Sequence, residues 1–197
     1  MNEANAKKLL FTVADVLENV GLEFSLSCGT CLGAVREKKF IKIDQDIDLA
    51  VLLENFQPIA KNIRTQLIEK GIQIEIIDHR HSESWDGSIY AIKFQGYGEH
   101  GDLASYMKIK GKRAIPSHLQ SHWFVNTANF LEELSEIEFY GRNFKIPKDV
   151  DGYLTEVYGN WQIPNKKISD CRWLCKKLES WKYVGRLEEV IKLENKE

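Results

Sequence analysis

Between Phe24 and Leu53 the chain reads FSLSCGTCLGAVREKKFIKIDQDIDLAVLL. A small-residue turn, Cys28-Gly29-Thr30, follows an apolar run, and a basic segment, Arg36-Glu37-Lys38-Lys39, comes next. Three alternating acids, Asp44, Asp46 and Asp48, then lead into the apolar run Leu49 to Leu53. This order predicts a strand, a phosphate-binding turn, a short helix, a basic loop and a second strand that carries metal-binding acids. Alternate residues on a strand share a face, so Asp46 and Asp48 face one way and Ile47 and Leu49 the other. Two carboxylates that close repel each other unless a cation sits between them. Hard oxygen ligands of this kind suit Mg²⁺ or Mn²⁺. A third carboxylate from another strand usually completes such a site, and Asp102, in His100-Gly101-Asp102-Leu103, is the candidate. Gly101 is expected to let a ligand approach closely there. Asp44-x-Asp46-x-Asp48 opens like an EF-hand loop, but that loop needs Gly at its sixth position and Glu at its twelfth. Those positions hold Leu49 and Asn55, so the calcium reading fails.

The length suits one domain, or one domain with a small appendage. We divide the chain into a catalytic domain over residues 1–165 and a helical extension over 166–197. Lys and Arg total 27 against 29 Asp and Glu, so no global field favours nucleic acid or an acidic membrane, and any anion site must be local. No long basic groove or second DNA-binding module is visible, which argues against a nucleic-acid template. The first twenty residues are amphipathic and carry acids, unlike a signal peptide. No apolar run is long enough to span a bilayer, so a cytoplasmic location is the default. Cys28 and Cys31, and Cys171 and Cys175, are read as buried free thiols rather than a zinc or redox site.

Apolar spacing predicts a helix over residues 3–20, closed by Gly21. Leu22 to Ser27 reads as a strand, Thr30 as the cap of a short helix Cys31 to Arg36, and Asp46 to Leu53 as the second strand. Asn55 to Lys70 reads as a helix with Pro58 in its first turn and Ile59, Ile63, Leu67 and Ile68 inward. Ile72 to Ile77 is a third strand, and His79 to Gly87 a loop. Ile89 to Phe94 and Gly101 to Ile109 are strands around a Gly96-Tyr97-Gly98-Glu99 turn. Lys108 to Arg113 is the most basic stretch, a solvated hairpin or an anion-steering edge. Trp123 and Phe124 are expected to be buried. Ile137 to Ile146 reads as a hairpin through Gly141, Pro147 as the start of a helix Lys148 to Tyr158, and Ile168 to Leu193 as one helix or two. The fold class is therefore α+β (α/β), a mixed sheet with flanking helices and a helical C-terminal region.

A Gly-Thr turn after a strand, followed by Asp-x-Asp on the next, resembles the nucleotidyltransferase superfold typified by DNA polymerase beta. The wording is closer to one branch. Cys28-Gly29-Thr30-Cys31-Leu32-Gly33-Ala34-Val35-Arg36, then Phe40-Ile41, then Asp44-Gln45-Asp46-Ile47-Asp48 resemble the LicD and fukutin-related phosphotransferase family. So do Ile146-Pro147, Tyr153-Leu154, Tyr158-Gly159-Asn160-Trp161 and Pro164, in the same order. The chain departs at Lys42-Ile43, where the family commonly has Pro-Trp, and at Gln45, where it has an acid.

The resemblance implies transfer of a phospho-alcohol group, such as phosphocholine, ribitol phosphate or glycerol phosphate, from a CDP-linked donor to a sugar or glycan hydroxyl. Asp46, Asp48 and Asp102 would hold Mg²⁺ or Mn²⁺ against the diphosphate. Backbone N–H groups at Gly29 and Thr30 would bind phosphate oxygens. Arg36 and Lys38 are further phosphate-binding candidates, each with an ordinary reading as a solvated side chain. Asp102 would ligate metal or take the proton from the attacking hydroxyl, with His100 as the alternate base. Tyr158 and Trp161 are read as core residues. Two alternatives stay open: transfer of a nucleoside monophosphate from a nucleoside triphosphate, and a nucleotide-binding domain without turnover.

Overall fold

The computed structural model describes residues 1–77, 89–109, 112–117, 122–126, 130–164 and 182–183. Helix α1, Glu3–Asn19, begins at Asn2, whose side chain accepts from the Asn5 N–H, and ends before Gly21 at φ +71°. Strand β1 is only Ser25–Leu26, shorter than the expected Leu22 to Ser27. Helix α2, Cys28–Leu32, runs directly into a π-helical turn, Gly33–Glu37. Strand β2 is Ile47–Leu52.

The helix expected over Asn55 to Lys70 is present in three pieces: α3 (Leu53–Phe56), a 3-10 turn (Gln57–Ile59) and α4 (Ala60–Glu69). Pro58 accounts for the interruption, because it lacks the N–H an α-helical turn would use. The buried stripe still runs at helical spacing across the break, through Phe56, Ala60, Ile63 and Leu67; Ile59 is half-buried and Ile68, expected inward, is exposed. Strands β3 (Gln73–Ile77), β4 (Ala91–Gly96), β5 (Glu99–Ile109), β6 (Lys112–Ser117) and β7 (His122–Asn126) follow. Hairpin β8 (Leu134–Phe139) to β9 (Arg142–Pro147) turns at Tyr140-Gly141. Pro147 ends β9 rather than opening a helix. Asp149 caps α5, Val150–Tyr158, with its side chain accepting from the Gly152 N–H, and Gly159 stops α5 at φ +68°. The helix expected over 168–193, Cys171, Cys175 and the loop from His79 to Gly87 lie outside the described residues. Within that C-terminal stretch Lys182–Tyr183 (β10) is a short strand, not helix, antiparallel to β7.

The central sheet runs β3-β4-β5-β2-β1, with β2 and β5 parallel and the other neighbours antiparallel. The far end of β5 continues into β6, β7 and β10, so one long strand joins both parts of the sheet. On the inner face Ile47, Leu49, Val51, Ile92, Phe94 and Leu103 are buried in one core with Leu9, Leu10, Val13 and Leu17 of α1 and Ile63 and Leu67 of α4. Aromatic rings tie the β8–β9 hairpin to that core: Phe40 meets Phe139 at 5.1 Å and Phe24 meets Phe144 at 6.4 Å between centroids. The opposite, outer face carries the acids. No helix among the described residues is long and apolar enough to cross a membrane.

Candidate active site

Strand β2 starts one residue after Asp46, so the chain is still bent at Asp46 and extended at Asp48. That bend gathers all three acids. Asp44, Asp46 and Asp48 each offer a carboxylate oxygen within 4.8 Å of the others, a grouping able to hold a metal ion. Burial, and then the neighbouring Asp46 charge, push the Asp44 carboxyl up to about 7. Three acids so close repel one another, and a hard divalent cation would offset that repulsion. The donor set therefore fits Mg²⁺ or Mn²⁺.

The preceding helix is built around the same acids. Asp48 Oδ2 accepts the Gly29 N–H at 3.0 Å, and the Asp48 N–H donates to Thr30 Oγ1 at 2.9 Å. Thr30 thus sits inside α2 and fixes β2, rather than capping the helix; Ser27 holds the cap position without a side-chain bond. The Gly29 N–H, expected to meet phosphate, is engaged by Asp48. Nor is Gly29 there for a tight turn, since the left-handed residue is Cys28, at φ +40°. Glycine is needed because a β-carbon at position 29 would collide with the Asp44 carboxylate.

Cys28 is an uncommon conformation for a residue with a side chain, and its surroundings over-determine it. Its N–H donates to the Tyr153 hydroxyl at 2.9 Å, and that hydroxyl lies 3.9 Å from Cys28 Sγ. Tyr153 is buried, which holds its phenol well above the ordinary range and leaves it a neutral hydrogen-bonding group. Arg36 makes a second link to the same region: Nη1 donates to the Trp161 carbonyl at 2.8 Å and Nη2 to Glu37 at 2.8 Å. Trp161 Nε1 in turn donates to Asp151. The two sequence motifs, 125 residues apart, are thus one structural unit, joined at the start of α2 by Tyr153 and in the turn after it by Trp161. Tyr158 is buried and Trp161 packs against the core, as expected. Lys38 is exposed at φ +56°, where the π-helical turn ends. Cys28 and Cys31 are free; Cys31 is fully buried, and burial pushes its thiol up to about 12, which makes it inert.

Asp102 stands directly opposite Asp48 in the parallel β2–β5 register, on the same face, with backbones about 4.8 Å apart. It is not one of the three acids that share a metal-sized space; Asp44 is. The sequence placed Asp44 in the alternating series but gave the third position to Asp102. His100 is exposed and shares the Asp102 face, as strand alternation requires. Gly101 serves packing, not ligand approach: a β-carbon there would strike the Ile47 carbonyl and the Phe94 ring.

A mixed sheet whose parallel pair carries facing acids, with a short helix anchored on one of them, defines a nucleotidyltransferase-type fold. The solution structure of the antibiotic-resistance factor ANT(2'')-Ia has a similar fold, with a TM-score of 0.50 at 17% identity, covering 98% of this chain and 91% of that one. Residues 21–149 match the family described as LicD/FKTN/FKRP, nucleotidyltransferase domain, and the chain belongs to that family. It is 40% identical over 169 residues to the mouse (Mus musculus) ribitol-5-phosphate transferase FKTN, covering 82% of this chain. A 53-residue stretch is 38% identical to the human (Homo sapiens) protein of the same name, covering 27% of this chain and 12% of that protein. The chain spans about a third (34%) of the length of the mouse relative.

Proposed function

We propose that the domain transfers a phospho-alcohol group from a CDP-linked donor to a sugar hydroxyl, with ribitol phosphate the first group to test and phosphocholine or glycerol phosphate next. The observation that carries this reading is the Asp44–Asp46–Asp48 cluster bound to the start of α2, in a member of the LicD/FKTN/FKRP domain family. Ribitol phosphate comes first because the mouse relative is named as its transferase. A divalent ion held by Asp46, Asp48 and Asp44 would supply charge neutralisation at the donor diphosphate.

The chain's own residues do the rest. Gly29 and Thr30 fix the Asp48 carboxylate and backbone, so the ligands are set before substrate arrives. Asp102, beside Asp48, accepts the proton of the acceptor hydroxyl, and His100 is the alternate base. The acceptor oxygen bonds to the phosphorus of the alcohol phosphate as the bond to the bridging oxygen breaks, and CMP leaves with the electron pair. Arg36, in the turn after α2, ties that turn to Trp161 and stays a candidate contact for the donor diphosphate. Lys38 remains a candidate contact for the donor's phosphates.

The experiment is CMP release from CDP-ribitol, CDP-choline and CDP-glycerol with Mg²⁺ or Mn²⁺ and a panel of sugar acceptors. CMP formation that Asp46→Asn and Asp48→Asn each reduce by ~100-fold or more, with the fold kept, supports the proposal. Inert CDP donors together with pyrophosphate release from a nucleoside triphosphate would replace it with nucleotidyl transfer.

A further inference from the structure

Beyond the acids, the outer face of the sheet continues sideways as a polar surface. Strand register sets two rows across β5, β4 and β3. Asp102 is paired with Lys93 and Lys93 with Glu75; His100 is paired with Gln95 and Gln95 with Gln73. Cross-strand partners share a face, so all six side chains lie on the side of the sheet that carries Asp48. Gln73, Glu75, Gln95 and His100 are exposed and Lys93 is half-buried. Among the described residues, none of these five makes a side-chain hydrogen bond or ion pair. The two rows extend about 10 Å across the strands and about 7 Å along them, the footprint of a sugar unit or two.

We propose that this face of β3, β4 and β5 is where the hydroxyl-bearing acceptor lies, a surface for a neutral saccharide; the proposal rests on the transfer reading above. Continuity is the first argument. The row that starts at Asp48 and Asp102 runs straight into Lys93, so a ligand here presents its hydroxyl to the base without crossing another strand of the described sheet. Chemistry is the second. A sugar hydroxyl both donates and accepts; the amides of Gln73 and Gln95 offer both functions, Lys93 only donates, and the Glu75 carboxylate only accepts. Charge is the third. Lys93 and Glu75 offset each other, so the surface does not draw the donor diphosphate away from the metal ligands. Large apolar side chains, which a protein or lipid partner would bury, are missing from these six positions.

The test is a titration of the ¹⁵N-labelled full chain with methyl β-galactoside and with methyl N-acetyl-β-glucosaminide. The side-chain amides of Gln73 and Gln95 and the backbone amides of Lys93 and His100 should shift. Gln73→Ala with Gln95→Ala, and separately Lys93→Met, should weaken binding by ~10-fold, and these surface changes spare the core. Shifts confined to another surface, or no shift with either sugar, overturn the proposal. Inert CDP donors with the sugar-induced shifts intact would instead sink the transfer reading and leave the saccharide surface standing.

Discussion

The two faces of the central sheet are made from the same strands, yet they do opposite work. On β2, Ile47, Leu49 and Val51 point inward and are at most 2% exposed, while Asp48 points outward to the site. On β5, Leu103 is buried inward while His100 and Asp102 lie outward. Residues one position apart therefore divide between holding the fold and lining the candidate site. The inner face draws its stability from apolar burial against α1 and α4. The outer face gathers acids that repel one another. Neighbouring substitutions should accordingly fail in different ways, and that difference can be measured.

Leu49→Ala has the largest expected effect on the fold. It removes a fully buried side chain and should cost about 2–5 kcal/mol, read as a large drop in Tm. Asp48→Asn, one residue away, should leave Tm far closer to the parent while removing metal binding. Equal losses of Tm in both would erase the distinction between the faces. Gly29→Ala comes next: its methyl group meets the Asp44 carboxylate, so Mn²⁺ affinity should fall ~10-fold or more, with a smaller change in Tm. An unchanged affinity would remove Asp44 from the ligand set.

The pH dependence separates the faces again. Asp44 binds its proton more tightly in the fold, at about 7 against an ordinary carboxyl value of 3.8. The folded state thus holds more protons than the unfolded state between those values, and metal-free stability from this group falls as pH rises through that window. Divalent-ion affinity should move the other way, rising up to about pH 7 and then levelling, because the ion takes the deprotonated carboxylate. Thermal melts with and without Mn²⁺ across that range would show the two slopes diverging. Tyr153→Phe is the mildest test. It leaves the Cys28 N–H without its acceptor and should cost about 1–3 kcal/mol, with a few-fold loss of Mn²⁺ affinity as the start of α2 relaxes.

How much of this was legible in the sequence depended on the range of the interaction. Period-2 alternation identified β2, and Gly98 and Gly141, both at positive φ, marked the β4–β5 and β8–β9 hairpins. Periodicity could not say where α2 begins. That boundary is set by the Tyr153 hydroxyl on the Cys28 N–H and by Asp48 on the Gly29 N–H, contacts with no local pattern. That Asp44 lies with Asp46 and Asp48, while Asp102 stands outside that cluster, has a related cause. A regular strand would have carried the alternation back through Asp44, but the chain bends before Ile47, and only the bend brings Asp44 over Gly29. Pro58 was read as a helix-starting residue because its fixed φ suits a first turn; the structure has a turn of helix already formed ahead of it.

The claim beneath all of this is that Asp44, Asp46 and Asp48 hold one divalent ion at the start of α2. Titration of Mn²⁺ into the protein, followed by the electron paramagnetic resonance signal of the free ion, reads it directly. The account predicts that the parent protein takes up Mn²⁺ and that Asp46→Asn and Asp48→Asn each abolish the uptake while remaining folded. Uptake that survives both substitutions, or a parent protein that leaves all the Mn²⁺ free at neutral pH, would contradict it.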